Sequence, residues 1–471
     1  MKRRDFIKLT GAATGAIVTT QLQAKNGDKQ QELPNVVVVH TDQQSTWTLG
    51  SYGGTIVKTP FIDSLADEGA KLNNFYCNVG VCTPSRGCFF SGQYPDQNGA
   101  VHNDKPLNRD VETFGEMARR NGYNTAYFGK WHLDGDAKPG FMKPDRSMGF
   151  TDCEHMWNRG HWKTINDNAP RVSDKIGDKE HYTTDYISDK TIDFIKSQEK
   201  NQPFMAVLSI PDPHTPFKVR APYNQLVNPD LMSIPESFDQ KDTPVWIKQH
   251  HWHNPKHTLE DFKEAKAQYY AMVKCIDDNV GKIINTLKDK GVYDNTIIVF
   301  TTDHGEYMGE HGGLLGKNNF YQNAYRIPFL IRFPKKIKPG TVVKQHVTTV
   351  DFKSTLASLM GVTPEKSSDG RDMTPLLESK VDTMVDDYAI VCRHGRNIKS
   401  AFIGLYNDDY SICYSNTGKD HMLFDMKKDP LQMDNLFDDR KYRKVKKELT
   451  KVLVSHVDTY QNKFQWLKDH I

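Results

Sequence analysis

Apolar residues along this chain alternate between short unbroken runs and longer stretches in which they recur every three or four positions. The four valines at 36–39 and the runs at 204–210 and 295–300 are continuous, which predicts strands covered on both faces, as in a parallel sheet. Residues 72–76 and 124–133 predict two further strands. Helical patterns separate them at 59–66, where Pro60 suits a first turn, and at 113–118, 187–196 and 258–290. The last of these sets Tyr269, Met272, Val273, Ile276, Val280 and Ile283 on one face, so it is expected to pack on the sheet. Strand and helix in this alternation predict an α/β domain, a parallel sheet with helices on both faces. Strands at 327–333 and 346–351 and a helix at 352–360 continue it. After Gly361 the pattern changes to short, antiparallel-type strands at 388–393, 399–406 and 410–415, followed by an amphipathic helix at about 442–468. The expected division is a large domain over 34–369 and a smaller one over 370–471.

Several of the apolar runs end in residues that can do chemistry. The valine run leads into Asp42 and Gln43, the run at 204–210 into Pro211-Asp212-Pro213-His214, and the run at 295–300 into Asp303 and His304. Ligands of open α/β sheets sit beyond the carboxyl ends of the strands, and two acid-ended strands can bring separated carboxylates onto one cation. Prolines on both sides of His214 hold it in a stiff turn. Glycines at 305, 309, 312, 313 and 316 predict a mobile loop that delivers Lys317.

Composition narrows the possibilities. Charged residues are 26% of the chain, both signs are balanced and the net charge is +3, so neither nucleic acid nor a membrane surface is expected as a partner. Met1-Lys2-Arg3-Arg4, a mild apolar stretch at 9–20 and Leu22-Gln23-Ala24 resemble a twin-arginine export signal over 1–24, with a polar linker at 25–33. The expected location is the periplasm. No later stretch has the ~18 apolar residues of a spanning helix, so stable membrane insertion is not expected. Seven cysteines is an odd number for an exported protein and singles one out; no disulfide framework or CxxC metal pair is evident. Taken alone, Cys82 reads either as a buried small hydrophobe or as a thiol activated by a helix start and by Arg86. The irregular segment 136–182 contains Arg159, His161 and Trp162, which fit a sugar subsite or a plain surface loop. His250, His251 and His253 form a cluster without metal-ligand spacing and are expected at the surface or facing substrate.

Cys82-Thr83-Pro84-Ser85-Arg86, with Gly92-Gln93-Tyr94-Pro95 downstream, resembles the signature of the type I, formylglycine-dependent sulfatases of the alkaline phosphatase superfamily. Gly129-Lys130-Trp131-His132, Gly316-Lys317 and Gly370-Arg371-Asp372 extend the likeness to almost the whole mature chain. The resemblance implies a large mixed, mostly parallel sheet flanked by helices, with a smaller C-terminal α+β subdomain carrying an antiparallel sheet. It implies that a maturation enzyme oxidises Cys82 to formylglycine, whose hydrate attacks sulfur with one hydroxyl and expels sulfate with the other. It further implies one calcium held by Asp42, Gln43, Asp303, His304 and residue 82. Gln43 departs from the family's usual aspartate, and His304 from its commoner asparagine; imidazole is a poorer partner for hard calcium, so His304 could instead meet the sulfate or another metal. Lys130 and Lys317 would bind sulfate, Arg86 would orient the hydrate, His132 would act as base, and His214 would protonate the leaving oxygen or bind sulfate. His394 and Arg396 are candidates for contacting the sugar. The expected activity is removal of sulfate from a sulfated polysaccharide or oligosaccharide, algal (ulvan-like) or glycosaminoglycan-like. Two alternatives are a phosphonate monoester or phosphodiester hydrolase of the same superfamily, and a noncatalytic sulfated-glycan binder.

Overall fold

A computed structural model describes residues 33–135, 140–165, 175–244, 256–395, 401–460 and 462–471. The export signal, the polar linker up to residue 32, the histidines at 250, 251 and 253, and Arg396 lie outside the described residues.

The strands are β1 (Asn35–Asp42), β2 (Ala70–Leu72), β3 (Phe75–Tyr76), β4 (Asn124–Lys130), β5 (Met156–Trp157), β6 (Phe204–Pro213), β7 (Thr296–Thr302), β8 (Phe329–Arg332), β9 (Thr341–Val343), β10 (Val347–Thr348), β11 (Ala389–Arg393), β12 (Phe402–Tyr406), β13 (Tyr410–Ser415) and β14 (Met422–Asp425). The main sheet has the order β5-β4-β6-β1-β7-β8-β2-β9. Its neighbours run parallel except where β8 meets β7 and β2. β1 lies at the centre, with Val36 opposite both Met205 and Ile297. Every residue of β1, β6 and β7 is buried, as their unbroken apolar runs require. Strand alternation sends Val36 and Val38 into the core on one face and Val37 and Val39 into the core on the other.

The helices over the sheet begin with α1 (Pro60–Asp67), α2 (Cys82–Ser91), α3 (Pro95–Asn98), α4 (Phe114–Arg120), α5 (Thr183–Ser197) and α6 (Leu259–Asp289). α4 and α6 each start with a capping box, from Thr113 and Thr258. α2 is buried along its whole length. Its first residue is Cys82, and near its other end Phe89 stacks on Phe352 at 4.3 Å while Phe90 stacks on Phe114 at 4.6 Å. The aromatic cluster therefore fixes the helix that sets the position of residue 82. β11 to β14 form a separate four-stranded antiparallel sheet, packed on the helix Arg443–Tyr460. No helix among the described residues is long and apolar enough to cross a membrane.

Some expectations needed correction. The predicted strand 72–76 is two strands: Asn73 and Asn74 break it, β2 stays in the main sheet, and β3 pairs with β10. The strand from 124 stops at Lys130, because Gly129 (φ 113°) and His132 (φ 62°) leave extended geometry. The C-terminal helix ends at Tyr460, and Asn462–His470 is a separate 3-10 helix. The glycine-rich loop before Lys317 is tied down, since the backbone N–H groups of Met308 and Gly316 both donate to Glu306 Oε1. Phe89→Ala is expected to lower unfolding stability by about 3–5 kcal/mol, the usual cost of emptying a buried aromatic site. Urea titration measures this, and a loss below about 1 kcal/mol would contradict the part given to this cluster.

Candidate active site

Four parallel strands deliver the site along one end of the sheet. β4 ends at Lys130, β6 runs into His214, β1 ends at Asp42 and β7 runs into Asp303, while α2 begins opposite them with Cys82. Lys130, Asp42, Cys82, Arg86, Asp303 and His304 are all buried.

Arg86 joins the two carboxylates. Its Nη2 donates to Asp42 Oδ2 (3.0 Å) and its Nε to Asp303 Oδ2 (2.9 Å), while Nη1 donates to Lys130 O (2.9 Å) and Ser209 Oγ (2.8 Å). The other carboxylate edges face the cluster around residue 82. Asp42 Oδ1 lies 3.8 Å from Cys82 Sγ and 3.8 Å from His304 Nε2, and Asp303 Oδ1 lies 3.5 Å from His304 Nε2. Burial alone would raise both carboxyl pKa values, but the surrounding cations reverse this and hold them below the ordinary range. One ligand atom from each of Asp42, Cys82, Asp303 and His304 falls within 4.8 Å of the others. His304 Nδ1 is 3.0 Å from the Gly305 carbonyl, which can only accept, so the proton sits on Nδ1 and Nε2 faces the cluster. Two carboxylates and an oriented imidazole nitrogen suit a divalent cation.

Cys82 Sγ lies 3.1 Å from His304 Nε2 and 3.4 Å from Lys317 Nζ. Burial and Asp42 push the thiol pKa up, yet Lys130, Lys317 and His304 outweigh them and bring it below its ordinary value. Each lysine is paired with a histidine. Lys130 Nζ is 2.5 Å from Asp42 Oδ2 and 2.7 Å from His161 Nε2; Lys317 Nζ is 2.7 Å from Gln43 Oε1 and 2.9 Å from His214 Nε2. An ammonium group only donates, so both imidazoles present a bare Nε2. His214 Nδ1 donates to Thr215 O at 2.9 Å, completing a neutral ring. The rings of His161 and His214 stack at 3.4 Å and 5°. Burial, then the neighbouring charges, holds both well below the ordinary histidine range.

A supporting layer fixes these groups. Gln43, at φ 64°, donates its backbone N–H to Asp303 Oδ1 (3.0 Å) and its Nε2 to Glu306 Oε2 (2.5 Å), and accepts from Tyr269 OH at its carbonyl (2.6 Å). Burial raises the Glu306 pKa to about 7. Behind His161 and His214, Asp212 accepts from Lys163, from Tyr182 OH (2.5 Å) and from Thr184 Oγ1 (2.7 Å). His132 lies beside the start of α2, its carbonyl accepting from Thr83 Oγ1 at 2.7 Å, and its buried Nδ1 has no hydrogen-bond partner among the described residues.

The structure thus gathers Asp42, Gln43, Cys82, Arg86, Lys130, Asp303, His304, Lys317 and His214, with His132 adjacent. Arg86 is committed to the carboxylates, the Lys130 carbonyl and Ser209, which makes it the group that aligns the cluster. His394 is drawn elsewhere: its Nε2 bonds Asp96 Oδ1 at 2.6 Å and its ring packs on Phe464. Trp162 is fully buried and stacks on Trp157 at 4.7 Å, so it offers no face to a sugar, while Arg159 pairs with Asp104 at 2.6 Å. His161 joins the site itself. Glu306, Ser209, Asp212 and Lys163 were not foreseen. Glu306 follows Asp303-His304-Gly305 directly, and that position was the one available signal.

Comparison with known proteins agrees with this architecture. The sulfatase family model matches residues 34–362, and a model described as N-sulphoglucosamine sulphohydrolase, C-terminal, matches 309–459. An N-acetylglucosamine-6-O-sulfatase of Bacteroides thetaiotaomicron is 26% identical, over 92% of this chain and 88% of that protein. An ulvan-active sulfatase of Formosa agariphila is 29% identical, over 95% and 87%. A solved structure of a protein in complex with its substrate D-glucosamine-2-N,6-O-disulfate superposes with a TM-score of 0.78 at 24% identity, covering 91% of this chain and 98% of that one. With its alkaline phosphatase-like sheet and its separate antiparallel sheet, the chain belongs to the sulfatase family and is a sulfuric ester hydrolase.

Proposed function

We propose that this enzyme removes sulfate from a sulfated polysaccharide or oligosaccharide, using a formylglycine made from Cys82 and a calcium ion beside it. The observation that carries the reading is the placement of Cys82 at the first turn of α2, against Asp42, His304 and Lys317. The glycan class is supported by the N-acetylglucosamine-6-O-sulfatase, the ulvan-active sulfatase and the disulfated glucosamine complex among the similar proteins.

Asp42, Asp303, His304 and the Gln43 amide oxygen would hold the ion. An ion there supplies positive charge next to the sulfate oxygens, and a formylglycine hydrate supplies the nucleophile that cysteine cannot. The chain's own residues do the rest. Lys130 and Lys317 exchange their histidine nitrogens for sulfate oxygens when substrate enters. That exchange releases Nε2 of His214, which takes up a proton beside the bound anion and gives it to the leaving alcohol oxygen. His132, whose carbonyl accepts from Thr83 Oγ1 at the start of α2, would take up the proton that the nucleophile at position 82 loses. Arg86 keeps both carboxylates aligned throughout. Export to the periplasm, supported by the pattern at 1–24, and a maturation enzyme acting on Cys82 belong to the same proposal.

Cys82→Ser is expected to lower kcat/KM for an aryl sulfate by about a thousandfold or more. Mass spectrometry of the wild-type peptide spanning residue 82 is expected to show the aldehyde; an intact thiol in fully active enzyme overturns the mechanism. Removing divalent ions with a chelator should lower both activity and the thermal midpoint, and calcium should restore both. A midpoint indifferent to calcium would count against the ion. An aryl phosphonate monoester turned over faster than the matching aryl sulfate would transfer the assignment to phosphorus chemistry.

A further inference from the structure

Arg393 ends β11, half-buried, and forms no ion pair with any described residue. Among the described residues its side chain donates one hydrogen bond, from Nη1 to the carbonyl of Asn318 at 3.0 Å. Nε and Nη2 donate to no described residue. The groups in electrostatic reach are the neutral hydroxyls of Tyr325 and Tyr307, and the Tyr325 hydroxyl is itself buried with no hydrogen-bond partner among the described residues. Burial draws the guanidinium pKa down, so the charge is held at a cost. Elsewhere in the chain such groups are answered: Arg86 by Asp42 and Asp303, Arg220 by Asp185, Arg371 by Asp351. A half-buried guanidinium in so apolar a setting calls for an anion, and no described residue provides one.

Its location says where that anion comes from. Asn318 directly follows Lys317, whose Nζ lies 3.4 Å from Cys82 Sγ. Next to Arg393, the Cys392 backbone N–H donates to Asn78 O at 2.8 Å, and Asn78 Nδ2 donates to Ile390 O at 3.0 Å. Asn78 belongs to the segment that enters α2 at Cys82. Arg393 therefore stands on the same frame as residue 82 and Lys317, with a two-nitrogen edge uncommitted. That edge matches the oxygens of a sulfate or a carboxylate.

We propose that Arg393 receives a second anionic group of the substrate, carried on the same sugar as the scissile sulfate or on its neighbour, so that the enzyme selects glycans with two acidic groups close together. This rests on the sulfatase reading above and deepens it. The shared chemistry is an oxyanion, borne either by a second sulfate or by a uronate.

The test compares four substrates of the full-length matured enzyme: an aryl sulfate, a monosulfated hexosamine, the same hexosamine with a second sulfate, and the monosulfated hexosamine linked to a uronate. Where a saccharide is not cleaved, its inhibition constant against the aryl sulfate replaces kcat/KM. Wild type is expected to favour one doubly charged saccharide over the singly charged one by about tenfold or more, the size of a charge-assisted hydrogen bond, and which one wins identifies the second anion. In Arg393→Met that ratio should fall close to one, and Arg393→Lys should keep part of it. Because the ratio is taken within each protein, a general loss of activity cancels. If Arg393→Met does not fold, the wild-type ratio and the lysine variant still decide. A wild-type ratio near one, or a ratio unchanged in Arg393→Met, overturns the assignment. Absence of sulfate release from every substrate, the aryl sulfate included, instead removes the sulfatase reading and this inference with it.

Discussion

The site depends on burying two carboxylates next to each other at the centre of a sheet and keeping both ionised. Asp42 and Asp303 could not share that space unaided, because removing an ion from water costs several kcal/mol and like charges add to it. Arg86 resolves the conflict from one side. It takes the Oδ2 edge of each aspartate and leaves the Oδ1 edges turned toward residue 82 and His304. The guanidinium also reaches the Lys130 carbonyl and Ser209 on β4 and β6. One buried side chain thereby ties the ends of four strands to a helix, and the spacing of the cluster follows from its planar fork.

Backbone geometry is bent to serve the same cluster. Gln43 and His132 hold positive φ at the ends of strands, a conformation that costs a non-glycine residue about 1–3 kcal/mol. At Gln43 the cost is offset by four hydrogen bonds, to Asp303, Glu306, Lys317 and Tyr269. The turn breaks the alternation of β1 and brings a side chain that would otherwise follow the strand into the pocket.

Much of this was legible in the sequence because burial on both faces leaves a simple trace. Val36 to Val39 and Ile297 to Phe300 are continuous apolar runs, and the acids that follow them mark strand ends where a sheet collects ligands. The cysteine, the two lysines and the flanking histidines were recognisable through family likeness, which periodicity could not have supplied. What escaped was the supporting layer. Ser209 sits inside an apolar strand, Glu306 follows a glycine in what reads as a loop, and Lys163 with Asp212 meets only through tertiary packing. Arg393 and His394 are adjacent basic residues at the end of β11, and the sequence does not distinguish their surroundings. The side chain of His394 is taken by Asp96 and that of Arg393 is not.

The burial of α2 has a consequence for the order of events in the life of the chain. Residue 82 is 2% exposed, and every residue of its helix is inaccessible. No catalyst the size of a protein can reach that sulfur once the aromatic cluster has closed around the helix. Any enzymatic alteration of the thiol has to occur on a nascent or unfolded polypeptide, and a molecule that folds with the thiol intact is sealed in that state until it unfolds again.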